Sequence, residues 1–394
     1  MNKINTAIIG LGSRGLWTLK CILCEREDVN VVFVCDEYED RVKDAKDFVF
    51  SRKGYVPASS TDWHNAINSP DVDVVVNCTA WESHIAVSVA AMKAGKPVAM
   101  EVGGAYSLDD CYALIDTYKE TGIHCMMMEN CCFNREEMMA LNMARIGVFG
   151  KIVHCEGGYQ HDLRDEITHG HERRHYRLRN YKARNTDNYP THELGPIAKV
   201  MDLGVSTKMS KLVSMSSGSW GLNDYAATRD NVDKTLADYH FNQGDVVKTL
   251  IRCDGGETIA LTLDTTLPRC YSRGFTVRGT KAAYFEDADG LFLDGVHSEW
   301  SKDYYNNKEK YFEKYDHPLW KNQSTQNYSS GHGGMDWLVY DEFFANYVGK
   351  GYKPYIDTFD TASWMCITPL AAKSINDGSV PVDIPDFKEY YKNK

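Results

Sequence analysis

Ile4-Asn5-Thr6-Ala7-Ile8-Ile9-Gly10-Leu11-Gly12-Ser13-Arg14-Gly15-Leu16 is the stretch on which the fold turns. The run from Lys3 reads as a strand ended by Gly10, and Leu16, Leu19 and Leu23 recur at helical spacing between Ser13 and Cys24. Between strand and helix lies G-x-G-x-x-G, where each glycine has its own task. The first makes the tight turn, the second lets the backbone approach a pyrophosphate, and the third lets helix pack on strand. The pyrophosphate would rest on the unpaired N–H groups that start the helix. Asp36 closes the next β-branched run, Val29 to Cys35, at the place where a carboxylate takes the adenosine ribose hydroxyls and repels a 2′-phosphate. The stretch predicts an NAD site containing Gly10, Gly12, Ser13, Arg14, Gly15 and Asp36.

Outward from there the alternation continues. Glu37 to Phe50 is charged and helical, Val72 to Cys78 is an apolar run, and Pro97 to Glu101 and Ile123 to Met128 are further strands flanking the amphipathic stretch Ser107 to Thr121. Continuous apolar strands alternating with helices predict a parallel sheet covered on both faces. After Asn130 the texture changes: a helix from Asn134 to Ile146, a strand from Val153 to Tyr159, then a segment crowded with Arg, His, Tyr and Asn up to Asn188. From Lys211 onward, runs such as Val246 to Arg252, Thr258 to Leu263 and Gly274 to Arg278 are joined by Gly-containing turns, as in an antiparallel meander. Helices are predicted over Met335 to Tyr347 and Ala362 to Ile375. The fold class is α/β: a Rossmann domain over residues 1–130, and over 131–394 a substrate-binding α/β domain with a largely antiparallel sheet, its C-terminal helix packing back on the first domain.

Composition narrows the function. The chain has 394 residues, 43% of them hydrophobic, enough for two cores. Its 55 acidic against 44 basic residues leave a formal charge of −11, which repels a phosphate backbone, so no nucleic-acid partner is expected. No apolar stretch approaches the ~20 residues of a membrane span. Twelve irregularly spaced cysteines read as buried thiols of a reducing compartment, and with no basic leader or twin arginine at the N-terminus the expected location is cytoplasmic. A homo-oligomer formed through the C-terminal sheet is expected.

Asn77-Cys78-Thr79-Ala80-Trp81-Glu82-Ser83-His84, followed by Ala94-Gly95-Lys96-Pro97-Val98 and Glu101, resembles the glucose-fructose oxidoreductase/inositol dehydrogenase (Gfo/Idh/MocA) family across the first domain. The resemblance implies that Thr79, Trp81, His84, Glu101, Val102 and Asn130 complete the cofactor site, with Trp81, His84, Glu101 and Asn130 on the nicotinamide half. Taken alone, His84 reads equally as a helix cap or surface residue. One departure is informative: where that family has Glu-Lys-Pro with an active-site lysine, this chain has Glu101-Val102-Gly103. A dehydrogenase relying on that lysine is disfavoured.

In the second domain the family's Asp and His, four residues apart, become Asn188 and His192 within Asn188-Tyr189-Pro190-Thr191-His192-Glu193-Leu194-Gly195-Pro196. Tyr-Pro-Thr-His followed by Gly-Pro resembles glycoside hydrolase family 109, the NAD-dependent α-N-acetylgalactosaminidases. Gly158-Tyr159, Arg177, Tyr271-Ser272-Arg273-Gly274 and Gly331-His332-Gly333-Gly334-Met335-Asp336 follow the same resemblance in order. It implies hydrolysis of a small-molecule glycoside through redox chemistry: hydride leaves C3 of the sugar, the ketone acidifies C2, a base removes that proton, the aglycone is eliminated, water adds and the hydride returns. His192, Tyr189 and Tyr159 are the candidate catalytic residues. His192 can handle a proton near neutral pH, and a neighbouring cation would lower a tyrosine's pKa. Arg177, Tyr271 and His332 are the candidate substrate-binding residues, Arg177 through its bidentate fork.

Other readings stay open beside these. A sugar or polyol dehydrogenase of the same superfamily, or a non-catalytic NAD-sensing protein, would use the same first domain. Tyr-Pro is also a common turn, and 24 tyrosines supply chance neighbours. His169, His171 and His175 with Glu172 invite a metal, but Arg173, Arg174, Arg177 and Arg179 interleave with them and oppose a divalent cation, so no metal is expected. Cys21-x-x-Cys24 lies on the first helix and reads as core packing.

Overall fold

A computed structural model describes residues 3–321, 331–347 and 354–394. Six strands, β1 (Ile4–Ile9), β2 (Val29–Cys35), β3 (Ala58–Ser60), β4 (Val74–Asn77), β5 (Val98–Met100) and β6 (Cys125–Met127), form a parallel sheet in the order β3-β2-β1-β4-β5-β6. That is the doubly wound order, whose reversal between β1 and β4 opens a crevice at the strands' carboxyl ends. Val74, Val75, Val76, Val98, Ala99 and Met100 are all fully buried, as strands covered on both faces require.

The second sheet contains β7 (Ile152–Gln160), β8 (Met209–Ser216), β9 (Val246–Cys253), β10 (Thr258–Asp264), β11 (Thr276–Gly279), β12 (Ala282–Phe285), β13 (Gly290–Leu293) and β14 (Val382–Asp383). Their order is β13-β12-β11-β7-β10-β9-β8-β14. Its pairs are antiparallel except β7 with β10. The simple meander is interrupted there because β7, first of the set in the chain, sits between β11 and β10. On its inner face the register aligns Cys155 with Ile259, Gly157 with Leu261 and Tyr159 with Leu263, so Tyr159 lies on the buried side.

The chain does not divide linearly. One compact unit comprises Met1–Asn130, Thr325–Ser363 and Phe387–Lys394, and the other Cys131–Ser324 and Trp364–Asp386. The helix expected over Ala362 to Ile375 is two helices, Thr358–Met365 and Ile367–Asn376. The latter packs on β8, where Ser214 N donates to Ser374 Oγ at 2.9 Å. It is the last helix, Phe387–Asn393, that packs on the first unit, with Tyr112 edge-on to Phe387 and Lys119 donating to the Tyr391 carbonyl. The helix Met335–Tyr347 also belongs to the first unit, and Arg26 pairs with its Asp341. The polar segment after β7 is not one loop: it holds short helices over Arg164–Thr168 and Tyr176–Ala183.

Candidate functional site

In the first unit the glycine turn has the geometry its spacing demands. Gly10 has φ +90°, and a Cβ there would come within 2.4 Å of the Cys78 carbonyl oxygen. A Cβ on Gly15 would lie 1.9 Å from the Gly10 carbonyl oxygen. At Gly12 the nearest atom to such a Cβ would be Arg41 Nη1 at 3.7 Å, so the space over the second glycine is open. An open cradle beside two tightly packed glycines fits a dinucleotide's pyrophosphate. Asp36 is buried at the end of β2 and accepts from the N–H groups of Leu11 (2.6 Å) and Tyr38 (3.0 Å), with Arg41 3.5 Å away. It is thereby joined to the glycine turn itself.

Arg14 and Glu101 are brought together. Arg14 Nε donates to Glu101 Oε1 at 2.9 Å, while its Nη1 and Nη2 reach Asp336 at 3.3 and 2.9 Å. Asn130 Nδ2 donates to the same Asp336 at 2.7 Å, and His332 Nδ1 lies 2.6 Å from it. Burial works against the charge of Asp336, but the His332 hydrogen bond and the Arg14 guanidinium outweigh it and hold its pKa below the ordinary carboxylate range. Asp336 therefore organises this corner, although residue type alone did not single it out. His332, expected at the sugar, lies in the first unit beside Asp336.

Asn77, ending β4, shapes the next turn: its Oδ1 accepts from Thr79 N and Thr79 Oγ1, and its Nδ2 donates to the His84 carbonyl. His84 is fully buried, with Nε2 2.9 Å from the Thr79 carbonyl, and burial depresses its pKa to about 4, so the ring is neutral. Within this unit it braces the Thr79–Trp81 turn. Trp81 is buried against Gly103, where a Cβ would come within 2.5 Å of the indole. The departure from Glu-Lys-Pro thus has a steric side: Gly103 makes room for Trp81. Val102 is buried beside Glu101, whose Oε2 accepts from its N–H at 3.3 Å.

The second unit gathers Tyr159, Arg177, Tyr189, His192 and Tyr271. The helix Thr191–Met201 lies on β7, and Gly157 permits the approach, since a Cβ there would fall 1.8 Å from Glu193 Cγ. That packing sets the Tyr159 ring 4.5 Å from Tyr189 and 5.3 Å from His192, with Tyr189 and His192 4.9 Å apart between centroids. Arg177, buried, holds its guanidinium 5.2 Å over Tyr189 and 5.6 Å over Tyr159, and its Nε is 2.8 Å from Glu166. Such cation–ring contacts strengthen when desolvated. Tyr271 arrives because Ser272 N donates to the Gln160 carbonyl, extending β7.

His161 fills the centre and was missed by sequence reasoning. Its Nδ1 is 3.0 Å from the Tyr159 hydroxyl, and its ring is edge-on to Tyr271 at 5.1 Å. Two residues beyond Tyr159, it was readable from the two-residue period of a strand. Burial and Arg177 lower its pKa. Burial raises the pKa of Tyr159, and the charge of Arg177 offsets it only in part.

Asn188 and its neighbours are fixed from behind. Gln243 Oε1 accepts from Asn188 Nδ2 (2.6 Å) and Thr186 N (3.2 Å), and Thr368 Oγ1 donates to the Asp187 carbonyl at 2.6 Å. Arg273, two residues past Tyr271, pairs with Glu137, with Glu193 at 3.2 Å and with Glu286 at 3.7 Å. It ties the Tyr271 loop to the helix bearing His192. Outside this cluster, His169 Nε2 lies 2.6 Å from the Asn231 carbonyl, and His175 Nδ1 accepts from Arg177 N at 3.3 Å.

Residues 133–393 match the family described as "Glycosyl hydrolase 109, C-terminal domain", and residues 4–129 match "Oxidoreductase family, NAD-binding Rossmann fold". The chain belongs to glycosyl hydrolase family 109. A "Glycosyl hydrolase family 109 protein" of Parabacteroides distasonis is 34% identical over 98% of this chain and 87% of its own length. An "Alpha-N-acetylgalactosaminidase" of Tannerella forsythia is 33% identical over 96% and 85%. Among solved structures, levoglucosan dehydrogenase with NADH and levoglucosan shares the fold at TM-score 0.73 and 18% identity, covering 98% of this chain and all of that one. An inositol dehydrogenase homologue of Azotobacter vinelandii with NADH and myo-inositol does so at 0.70 and 16%, over 97% and 98%. The family thus sets a hydrolase on a dehydrogenase fold, with NAD as its cofactor.

Proposed function

We propose that this family 109 enzyme hydrolyses α-N-acetylgalactosaminides or closely similar small-molecule glycosides by elimination at the sugar rather than by displacement. The cluster of Tyr159, Tyr189, His192 and His161 about the buried Arg177 carries the reading, because it sets proton handlers beside a cation, as proton removal next to a ketone requires. Bound NAD would accept the C3 hydride and return it at the end of turnover. The chain's own residues would do the rest. Arg177 would orient the sugar and favour negative charge as C2 loses its proton. Tyr189 and His192 would take that proton, and Tyr159, kept protonated and backed by His161, would donate a hydrogen bond.

Two further parts of the reading concern setting and assembly. All twelve cysteines are free, in keeping with a reducing cytoplasm, and no helix among the described residues is long and apolar enough to cross a membrane. Met215 and Leu250, 65% and 47% exposed on neighbouring strands β8 and β9, would lie where two copies pair through the second sheet.

An aryl glycoside assay tests the activity. Phenol release without net NADH is expected, and sugar released in D2O should carry deuterium at C2. Net NADH accumulating with free sugar would favour the dehydrogenase reading, and neither signal would favour a sensing role.

A further inference from the structure

Arg273 is buried, and three carboxylates converge on it from three other elements. Its Nη2 pairs with Glu137 of the helix Arg135–Arg145, its Nε lies 3.2 Å from Glu193 of the helix Thr191–Met201, and Glu286, which follows β12, stands 3.7 Å from Nη2. Glu137 and Glu193 are as buried as Arg273 itself, so little water shares their charge. One guanidinium does not neutralise three carboxylates, and burial lifts the Glu137 pKa to about 7 even with Arg273 beside it. Replacing a buried ion cluster by apolar residues of like volume is often neutral or stabilising. Cohesion between these elements is therefore a weak reason for the cluster, and its placement is a stronger one.

The Arg273–Glu193 pair joins residues of the second unit's cluster. Arg273 is two residues past Tyr271, Glu193 follows His192 directly, and Glu193 is seated over Gly157, two residues before Tyr159. The Arg273 guanidinium also reaches the Tyr271 hydroxyl and works against the burial that raises that phenol's pKa. The segment around them is stapled by its backbone: Ser272 N donates to the Gln160 carbonyl at 3.0 Å, and Phe275 N to Glu286 Oε2 at 2.8 Å. Ser272 Oγ adds a bond to Asp287 Oδ1 at 2.5 Å. These bonds fix where Tyr271 leaves the sheet, but they do not fix its side-chain torsions, and Tyr271 is 45% exposed. Arg273 is the group that holds the hydroxyl end of the ring.

We infer that Arg273 is a positioning residue of the sugar site: it aims the Tyr271 hydroxyl at the substrate, and Glu193, with Glu137 and Glu286, holds the guanidinium in the pose that does so. This rests on the proposed glycosidase reading. The planar fork matters as well as the charge. With Nη2 and Nε taken up by carboxylates, the rest of the fork is left for the phenol, a division that a single ammonium cannot make.

A double-mutant cycle on aryl glycoside hydrolysis by the whole protein tests the inference, with NAD titration and melting curves showing that each variant is folded. Arg273→Lys keeps the charge but loses the fork, and should lower kcat/KM by about 10- to 100-fold, mostly through KM. Tyr271→Phe should cost about as much. Arg273→Lys added to it should cost less than ~3-fold more, because the hydroxyl that the guanidinium aims is gone. Where Arg273→Lys does not fold, Glu193→Gln, which keeps the volume over Gly157, carries the same cycle with a loss of about 5- to 20-fold. Losses that multiply in the double variants, or a fall in kcat with KM unchanged, would overturn the inference and leave the glycosidase reading standing. A wild-type protein that releases no phenol would overturn both.

Discussion

Arg14 in the first unit and Arg177 in the second both have their pKa raised, although burial works against each charge. Their surroundings differ. Arg14 faces two carboxylates, Glu101 and Asp336, and its charge is matched within the protein. Arg177 has Glu166 beside it and the rings of Tyr159, Tyr176 and Tyr189 against its guanidinium. Rings attract a cation without cancelling it. Arg14 thus locks a turn in place, while in the function proposed above Arg177 would favour the negative charge developing on the sugar.

Removing the proton handlers should have the largest effect. His192→Ala and Tyr189→Phe should slow glycoside turnover by roughly two to four orders of magnitude while NAD still binds at wild-type affinity. His161→Ala should fall between these and wild type, because it acts on Tyr159 across a 3.0 Å contact. Turnover and NAD titration measured on the same preparations check this. Loss of NAD affinity in parallel with turnover would show that the second unit's cluster does not serve the sugar alone.

A change in the first unit should do the reverse. Asp36→Ala removes a carboxylate bonded to two N–H groups of the glycine turn region and takes away the repulsion of a 2′-phosphate. NAD affinity should fall about 10- to 100-fold, in the range of a hydrogen bond to a charged group, and the preference over NADP should narrow. Titration with both nucleotides reads the effect. Unchanged NAD affinity would move the ribose contact away from the end of β2.

The two halves also differ in how far the sequence disclosed them. The cofactor half depends on backbone, and Gly10, Gly12 and Gly15 declare themselves by spacing because no other residue tolerates those approaches. Asp336 was obscure because its partners Arg14 and Asn130 lie more than 200 residues earlier, a closure that no local pattern encodes. In the sugar half, residue types and the Tyr-Pro-Thr-His resemblance supplied the members but not the arrangement. His161 looked like one polar residue of a crowded segment until the sheet register placed Tyr159 on the buried face. Gly157 and Gly158 carried a readable signal, since glycines inside a strand mark a close approach, here that of Glu193 at Gly157. The break at Cys366 between Thr358–Met365 and Ile367–Asn376 was not legible, because apolar periodicity runs through it.

The smallest effect separates two buried aspartates. Asp336 has its pKa depressed by His332 and Arg14, so its contribution to stability is present at neutral pH and lost in acid. Among the described residues no cation compensates Asp187: burial raises its pKa to about 7, opposed by the backbone N–H of Tyr189. A carboxyl whose folded pKa exceeds its unfolded value of ~3.9 binds more protons in the folded state. Its contribution is therefore complete below about pH 4 and declines as pH rises toward 7. Asp187→Asn keeps the shape and removes the titration. The variant should melt a few °C above wild type at pH 8, with the advantage gone by about pH 4, a shift of the size that ~1 kcal/mol produces in a domain of this kind. Thermal melts across that window decide it. Parallel curves for the two proteins would mean that Asp187 stays ionised when folded, and that the segment leading into Tyr189 carries a negative charge at neutral pH.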